Sequence, residues 1–564
     1  MKNIKNLLRV SFLALGLLFS AKQINAQTIS NHIFGQNAWM PDTIGHTVLN
    51  GKLDQQWGNI KASNATIIRF GGAAADKDMP TNFQYIKMID AIRANGMEPM
   101  IQVPFNKNQY TAQQAAVIVN YINVVMGRNI KYWIIGNEPD LAYAYNNASQ
   151  IAAYIKPFAS AMKAADPSIL IIGPECASFN KNIVDGLTSG PDDITGKDQS
   201  GKYYIDIFSF HTYPFDGTQT RPQVISKLTS PGSFQDNLIY LNSRVAAANT
   251  AHGRTGTAAI KTALTEANIS WQNSPTDGLN GAGANSFIGG QFIAEMMGIG
   301  MKNGLDIMNI WSVIEGNGTI ALNIGYIDPN TNNKKPSYYH FKLLAENFKG
   351  SYVDGTSNVT NVKSFGSQNA QNTTVLVMNE DMTNNYNFTI RLNADAVTGN
   401  NPLKINIKAG IAVEYNDLIP NQSTMLLIFN PQGVLIKKIE YSLLVHAVSN
   451  LAPTAKEFGV PTAVVPINGE STNLKGFQIN LFPNPANSKF TIELDRRNPE
   501  EKKFEIEIFD LLGRLIYNKK TVFLDRLQEI DLSGNSMAEA VYVVKVHEQE
   551  DKDNTRAKKI ILFK

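Results

Sequence analysis

One cysteine, Cys176, stands among 564 residues, so the chain closes no internal disulfide and builds no cysteine-based metal site. Its stability must come from a large apolar core instead. Excess charge is also missing: 51 Lys and Arg against 48 Asp and Glu leave +3, with no basic run, which argues against a nucleic-acid partner. The seven histidines never take the His-Glu-x-x-His spacing of a zinc protease, so no metal is called for. No Gly-x-Ser-x-Gly elbow follows a strand-like run, and no glycine-rich phosphate loop follows the first of them. The apolar run Val10–Ala21 is shorter than the ~20 residues that a membrane-spanning helix needs.

That run is preceded by Lys2, Lys5 and Arg9, and Ala26 offers a cleavage point before Gln27. Residues 1–26 therefore read as a secretory signal, and the protein is expected outside the cell or on its surface. A composition of 43% hydrophobic and 18% charged residues is that of a folded protein, and the length implies several domains.

From His32 to Gly316, short apolar runs alternate with helical patterns. The runs are His32–Trp39, Ala65–Gly72, Met97–Phe105, Ile130–Glu138, Ser168–Glu175, Ile205–Tyr213, Ile260–Glu266 and Leu305–Trp311. Between them lie amphipathic stretches such as Asn82–Asn95, Thr111–Gly127, Ser149–Ala165, Phe234–His252 and Ser286–Asn303. This alternation predicts an α/β chain with a (β/α)8 TIM barrel over 27–345. A doubly wound sheet is disfavoured by the missing phosphate loop. Short alternating runs over 346–445 predict a small β-sandwich, 446–476 reads as a linker, and 477–564 reads as a separate antiparallel β domain.

A barrel of this kind carries its functional groups at the C-terminal ends of its strands. The fourth run ends Trp133-Ile-Ile-Gly-Asn-Glu-Pro-Asp140 and the seventh Thr262-Ala-Leu-Thr-Glu-Ala-Asn268, so Glu138 and Glu266 are expected to face one mouth. Cleavage of a glycosidic bond needs such a pair: one carboxyl to protonate the leaving oxygen, the other to attack the sugar or activate water. Sequence alone leaves the gap between them, and hence the stereochemistry, open. Glu175 and Glu315 are further acids near strand ends, open between substrate contact and structure. Trp39, Phe105, Asn106, Asp140, Asn268 and Trp271 follow strand ends and are candidate subsite residues.

Asn137-Glu138-Pro139 with Glu266 at the end of the seventh run resembles clan A of the glycoside hydrolases, over about residues 30–345. That resemblance implies a retaining enzyme with Glu138 as acid/base and Glu266 as nucleophile. It further implies Arg69 beside the nucleophile, Asn137 on the sugar 2-hydroxyl, His211 and Tyr213 close to the nucleophile, and Trp311 as a platform under the sugar. The barrel with a trailing sandwich resembles the arabinofuranosidase-like and xylosidase-like layout.

In the last domain, Leu481-Phe-Pro-Asn-Pro-Ala486 and Ile508-Phe-Asp-Leu-Leu-Gly-Arg514 resemble the C-terminal sorting domain of the type IX secretion system. Met537-Ala-Glu-Ala540 stands where that family usually has Gly before its Val-Tyr strand. The partners implied are an extracellular polysaccharide or oligosaccharide and the type IX secretion machinery. No cofactor is implied. The alternative is a non-catalytic exported carbohydrate-binding or adhesion protein on an inactive barrel, and a transglycosylase would use the same residues.

Overall fold

The computed structural model describes residues 27–38, 53–77, 79–106, 109–273, 277–315, 322–392, 403–411, 413–458, 477–482, 486–496, 503–510, 514–522, 527–534, 540–549 and 555–562. The signal-like segment 1–26 and Trp39 lie outside them. Two compact units result, 1–460 and 461–564.

Eight parallel strands close into a barrel: β1 (Gly35–Asn37), β2 (Ile67–Phe70), β3 (Glu98–Val103), β4 (Tyr132–Ile135), β5 (Leu170–Cys176), β6 (Ile207–Thr212), β7 (Lys261–Ala267) and β8 (Ile307–Ile310). The ring closes where Gly35 of β1 pairs with Asn309 of β8. Each strand falls where an apolar run predicts it, because strands buried on both faces read as near-continuous apolar stretches. Connecting helices begin at side-chain caps: Thr81 and Gln84 form a capping box at Asn82–Ala94, as do Thr111 and Gln114 at Ala112–Val119.

Strand periodicity sets where the chemistry sits. Ile67, Met100, Ile134, Ile172, Ile207, Ala263 and Ile307 form one buried apolar layer inside the barrel. Two residues further along the same faces come Arg69, Gln102, Ser209, Thr265 and Asn309, all buried. The interior thus changes from apolar to polar at the C-terminal mouth.

The helix Pro336–Asn347 packs against the barrel helix Phe287–Lys302, and a two-sheet sandwich follows. Its larger sheet holds Ser351–Val353, Val362–Gln368, Thr373–Asn379, Ser423–Phe429, Leu435–Ser442 and Thr454–Glu457; the smaller holds Gly355–Ser357, Tyr386–Arg391, Leu403–Ile407 and Glu414–Ile419. Thr454–Glu457 corrects the expected linker, which begins too early at 446. This strand pairs with Leu435–Ser442, yet all four residues are exposed, so it has no alternating apolar signal. The second unit carries a three-stranded and a four-stranded sheet around its own core, which includes Ile479, Phe490, Ile506, Val544 and Ile560.

Candidate active site

Arg69 is the centre of the polar layer and is wholly buried. Its Nη1 donates to Glu266 Oε1 at 2.8 Å and Asn37 Oδ1 at 3.1 Å. Its Nη2 donates to Asn137 Oδ1 at 2.7 Å and Glu175 Oε2 at 3.1 Å. A planar guanidinium can satisfy partners from several strands at once, which a lysine ammonium could not do at these angles.

Glu266 reaches the mouth through an irregularity in β7. Phe210 of β6 pairs with Leu264, but the next residue, His211, pairs with Glu266. The extra residue, Thr265, shifts the alternation and re-aims Glu266, as β-bulges commonly do beside active sites. Tyr213 Oη then donates to Glu266 Oε2 at 2.7 Å. Glu138 follows β4 in the left-handed region at φ 47°, and its backbone N–H donates to the Glu175 carbonyl at 2.9 Å. The Glu138 side chain is 16% exposed against 6% for Glu266, so it is the more open of the two.

His211 joins the acids. Its Nδ1 lies 2.9 Å from Glu138 Oε1 and 3.7 Å from Glu266 Oε2, and its Nε2 lies 3.3 Å from Glu175 Oε2. One oxygen of Glu138, one of Glu266 and a ring nitrogen of His211 all lie within 4.8 Å of one another. Such a trio also has the donor types of a cation site, but the guanidinium 2.8 Å from Glu266 already supplies positive charge there and opposes a metal ion.

The electrostatics follow from burial and these contacts. Burial alone would lower His211, but the carboxylates of Glu266, Glu138 and Glu175 push it up to about 10. Burial would raise Glu175, yet His211 and Arg69 hold it down to about 2. Burial pushes Glu266 up, His211 and Arg69 pull it back, and Glu138 adds to the rise. Glu315 is pushed up to about 8, chiefly by burial.

The other candidates divide. Trp311 follows β8, and its indole N–H donates to Glu315 Oε2 at 2.7 Å. Its ring lies over Gly72, where a Cβ would come within 2.8 Å of Cη2; any larger residue would displace the indole. Trp271 is 53% exposed. Asn268 is buried, and its amide donates to the Trp311 and Ile324 carbonyls while its oxygen accepts from Ile269 N–H. Its polar atoms therefore brace the loops after β7 and β8. Phe105 stacks on Tyr154 at 3.9 Å within the core, Asp140 accepts from Ala177 N–H, and Asn106 donates to Gln109.

Sequence reasoning missed the layer beneath. Asp76 accepts from Phe105 N–H, Asn137 N–H and Gln102 Nε2 at 2.8–3.0 Å. Gln102 Oε1 in turn accepts from Gly72 N–H at 2.6 Å. Gln102 follows Met100 at the strand period, which is the signal that finds it; Asp76 sits on the short helix Ala73–Lys77 and carries none.

The fold and site thus define a closed parallel barrel with a carboxylate-rich mouth, joined to a trailing sandwich. Residues 480–562 match the family described as "Secretion system C-terminal sorting domain", which marks the chain for export to the cell surface or beyond. Curated proteins offer no match to the chain. Among solved structures it is similar to a Paenibacillus polymyxa xyloglucanase of glycoside hydrolase family 44, at 14% identity over 71% of this chain and 96% of that one, TM-score 0.48. It is also similar to a monomeric β-xylosidase from Caulobacter crescentus CB15, at 14% identity over 90% and 94%, TM-score 0.46. A bacterial orthologue of human α-L-iduronidase gives 10% identity over 94% and 98%, TM-score 0.48.

Proposed function

We propose that this chain is an exported retaining glycoside hydrolase acting on extracellular polysaccharides or oligosaccharides, with Glu266 as nucleophile and Glu138 as acid/base. The observation that carries the reading is the approach of the two carboxylates: an oxygen of each lies within 4.8 Å of the other. A gap near 5 Å suits attack by one carboxylate while the other protonates the leaving oxygen, whereas inversion needs roughly 6.5–9.5 Å to admit water between them.

The surroundings fit the roles. Arg69 and Tyr213 both donate to Glu266, favouring its ionised form and aiming one oxygen at the sugar. Glu138, more open and more loosely held, can reach the leaving oxygen. Once Glu266 is esterified, Glu138 has already given its proton to the leaving oxygen and as the carboxylate can take one from the attacking water. Asn137 Oδ1 is held by Arg69, while its amide nitrogen has no hydrogen-bond partner among the described residues and suits a sugar 2-hydroxyl. Trp311 presents a flat apolar face for a sugar ring. Secretion through the type IX machinery accords with the C-terminal domain.

The test is a screen of the purified exported protein against plant and algal polysaccharides and aryl glycosides, with the first-formed anomer read by proton NMR. Retained configuration is expected. Glu266→Gln should abolish hydrolysis and keep binding. Glu138→Ala should lose about 10²–10⁴-fold and recover turnover with azide. An inverted product sinks the mechanism, and binding without hydrolysis by the wild type favours a carbohydrate-binding role.

A further inference from the structure

We propose that Glu175 is a positioning residue for the acid/base: it takes the Nε2 proton of His211, so that His211 Nδ1 and Glu138 Oε1 share one mobile proton. The inference rests on the reading of Glu138 as acid/base and gives that residue a partner on a third strand.

Glu175 is next to last in β5 and has no exposed surface. Thr265 Oγ1 donates to its Oε1 at 2.7 Å, and Arg69 Nη2 donates to its Oε2 at 3.1 Å. Arginine cannot surrender its proton, so Glu175 beside it is ionised and only accepts. The imidazole nitrogen that meets Oε2 must then carry hydrogen, which fixes the tautomer. Nδ1 is left 2.9 Å from Glu138 Oε1, and that hydrogen bond needs one proton between two acceptors. The charged and titratable groups facing the pair are Arg69 from β2, Glu175 from β5, Tyr213 after β6 and Glu266 from β7, with Glu315 beyond Trp311 and Asp76 beneath Asn137.

In the first step a Glu266 oxygen bonds to the anomeric carbon. The bond from that carbon to the leaving oxygen breaks with its electron pair, and the leaving oxygen takes the shared proton. Glu138 Oε1 and Nδ1 then face each other with lone pairs only, so the pair regains a proton readily. In the second step a water oxygen bonds to the anomeric carbon, the ester breaks and returns its electron pair to Glu266, and a water proton passes to the pair. The basic limb of the pH–rate profile therefore belongs to the pair and not to a lone carboxyl.

Glu175→Gln removes a negative charge and can offer an amide N–H to Nε2, which moves the ring hydrogen to Nδ1. Both effects loosen the pair's hold on its proton. Magic-angle-spinning NMR of the full chain labelled with ¹⁵N-histidine, with His211→Asn to assign the signal, reads the tautomer directly. Nε2 protonated throughout the pH range of activity is expected in the wild type, and an unprotonated Nε2 there overturns the proposal. On 4-nitrophenyl β-D-xyloside or β-D-glucoside, whichever turns over, Glu175→Gln should lower the basic limb of kcat/KM by about one pH unit and kcat by about tenfold or more. A profile of unchanged shape, reduced only in height, also overturns it. Failure of azide to rescue Glu138→Ala overturns the acid/base reading, and this inference with it; the NMR result distinguishes the two failures.

Discussion

Arg69 shows how one residue can be both scaffold and chemistry. It neutralises two buried carboxylates, Glu175 and Glu266, so its loss strands both without a counter-charge. Arg69→Met should therefore destabilise the fold by roughly 3–5 kcal/mol, the cost of breaking a buried pair from one side, as read from the urea midpoint of the first unit. Lysine should restore little, since a point charge cannot span Asn37, Glu266, Asn137 and Glu175. Residues at the mouth were legible because strand ends are legible: Arg69 follows Ile67, and His211 follows Ile207, on faces the apolar alternation already defines. Asp76 and the tautomer-fixing contact of Glu175 were not, because a buried polar group announces itself through its partners, and partners from separate strands are not adjacent in sequence. Glu266 was expected at the mouth from its place at a strand end, but the bulge at Thr265 that re-aims it was not legible, since it breaks the period by which a strand is read.

At the scale of elements, the helix Phe287–Lys302 departs from the amphipathic pattern of an outer barrel helix: every residue from Phe287 to Met301 is buried. It lies between the barrel and the sandwich, and glycine sets how close the sandwich comes. A Cβ at Gly298 would overlap the Phe365 ring, and one at Gly290 would meet the Pro336 backbone at 2.7 Å. Gly298→Ala improves helix propensity, yet it should destabilise by about 1–3 kcal/mol through overpacking, measured by thermal unfolding. The same seam carries a pH dependence. His340 on the helix Pro336–Asn347 is fully buried, with Nδ1 2.8 Å from the Pro336 carbonyl and Nε2 2.8 Å from Thr424 Oγ1 of the sandwich. Burial lowers its pKa from 6.5 to about 4. The unfolded chain therefore binds a proton more readily than the folded one between those values. The stability His340 contributes as a neutral ring is complete above pH 6.5 and is lost as pH falls toward 4. His340→Gln should flatten the unfolding midpoint over that window; an unchanged slope would show that other groups set it.

Across the whole molecule the two kinds of boundary predict opposite results on cutting. The barrel and sandwich share buried groups: Gln291 on the barrel helix donates to the Asn379 and Ser423 carbonyls, and Arg221 donates to the Glu380 carbonyl. Ending the chain at residue 347 would expose the apolar flank of Phe287–Lys302 and the buried face of Pro336–Asn347, including Tyr339 and His340. Such a fragment should aggregate, although it keeps every strand of the barrel and both carboxylates, because an exposed apolar face of that extent drives association. Residues 461–564 form a unit with a core of their own. The chain ending at 460 should therefore retain the hydrolysis rate and unfolding midpoint of the full protein while losing its address to the cell surface, as fractionation of cells expressing each form would reveal. Loss of activity in that shorter chain would mean that the sorting domain supports the barrel as well as directing it.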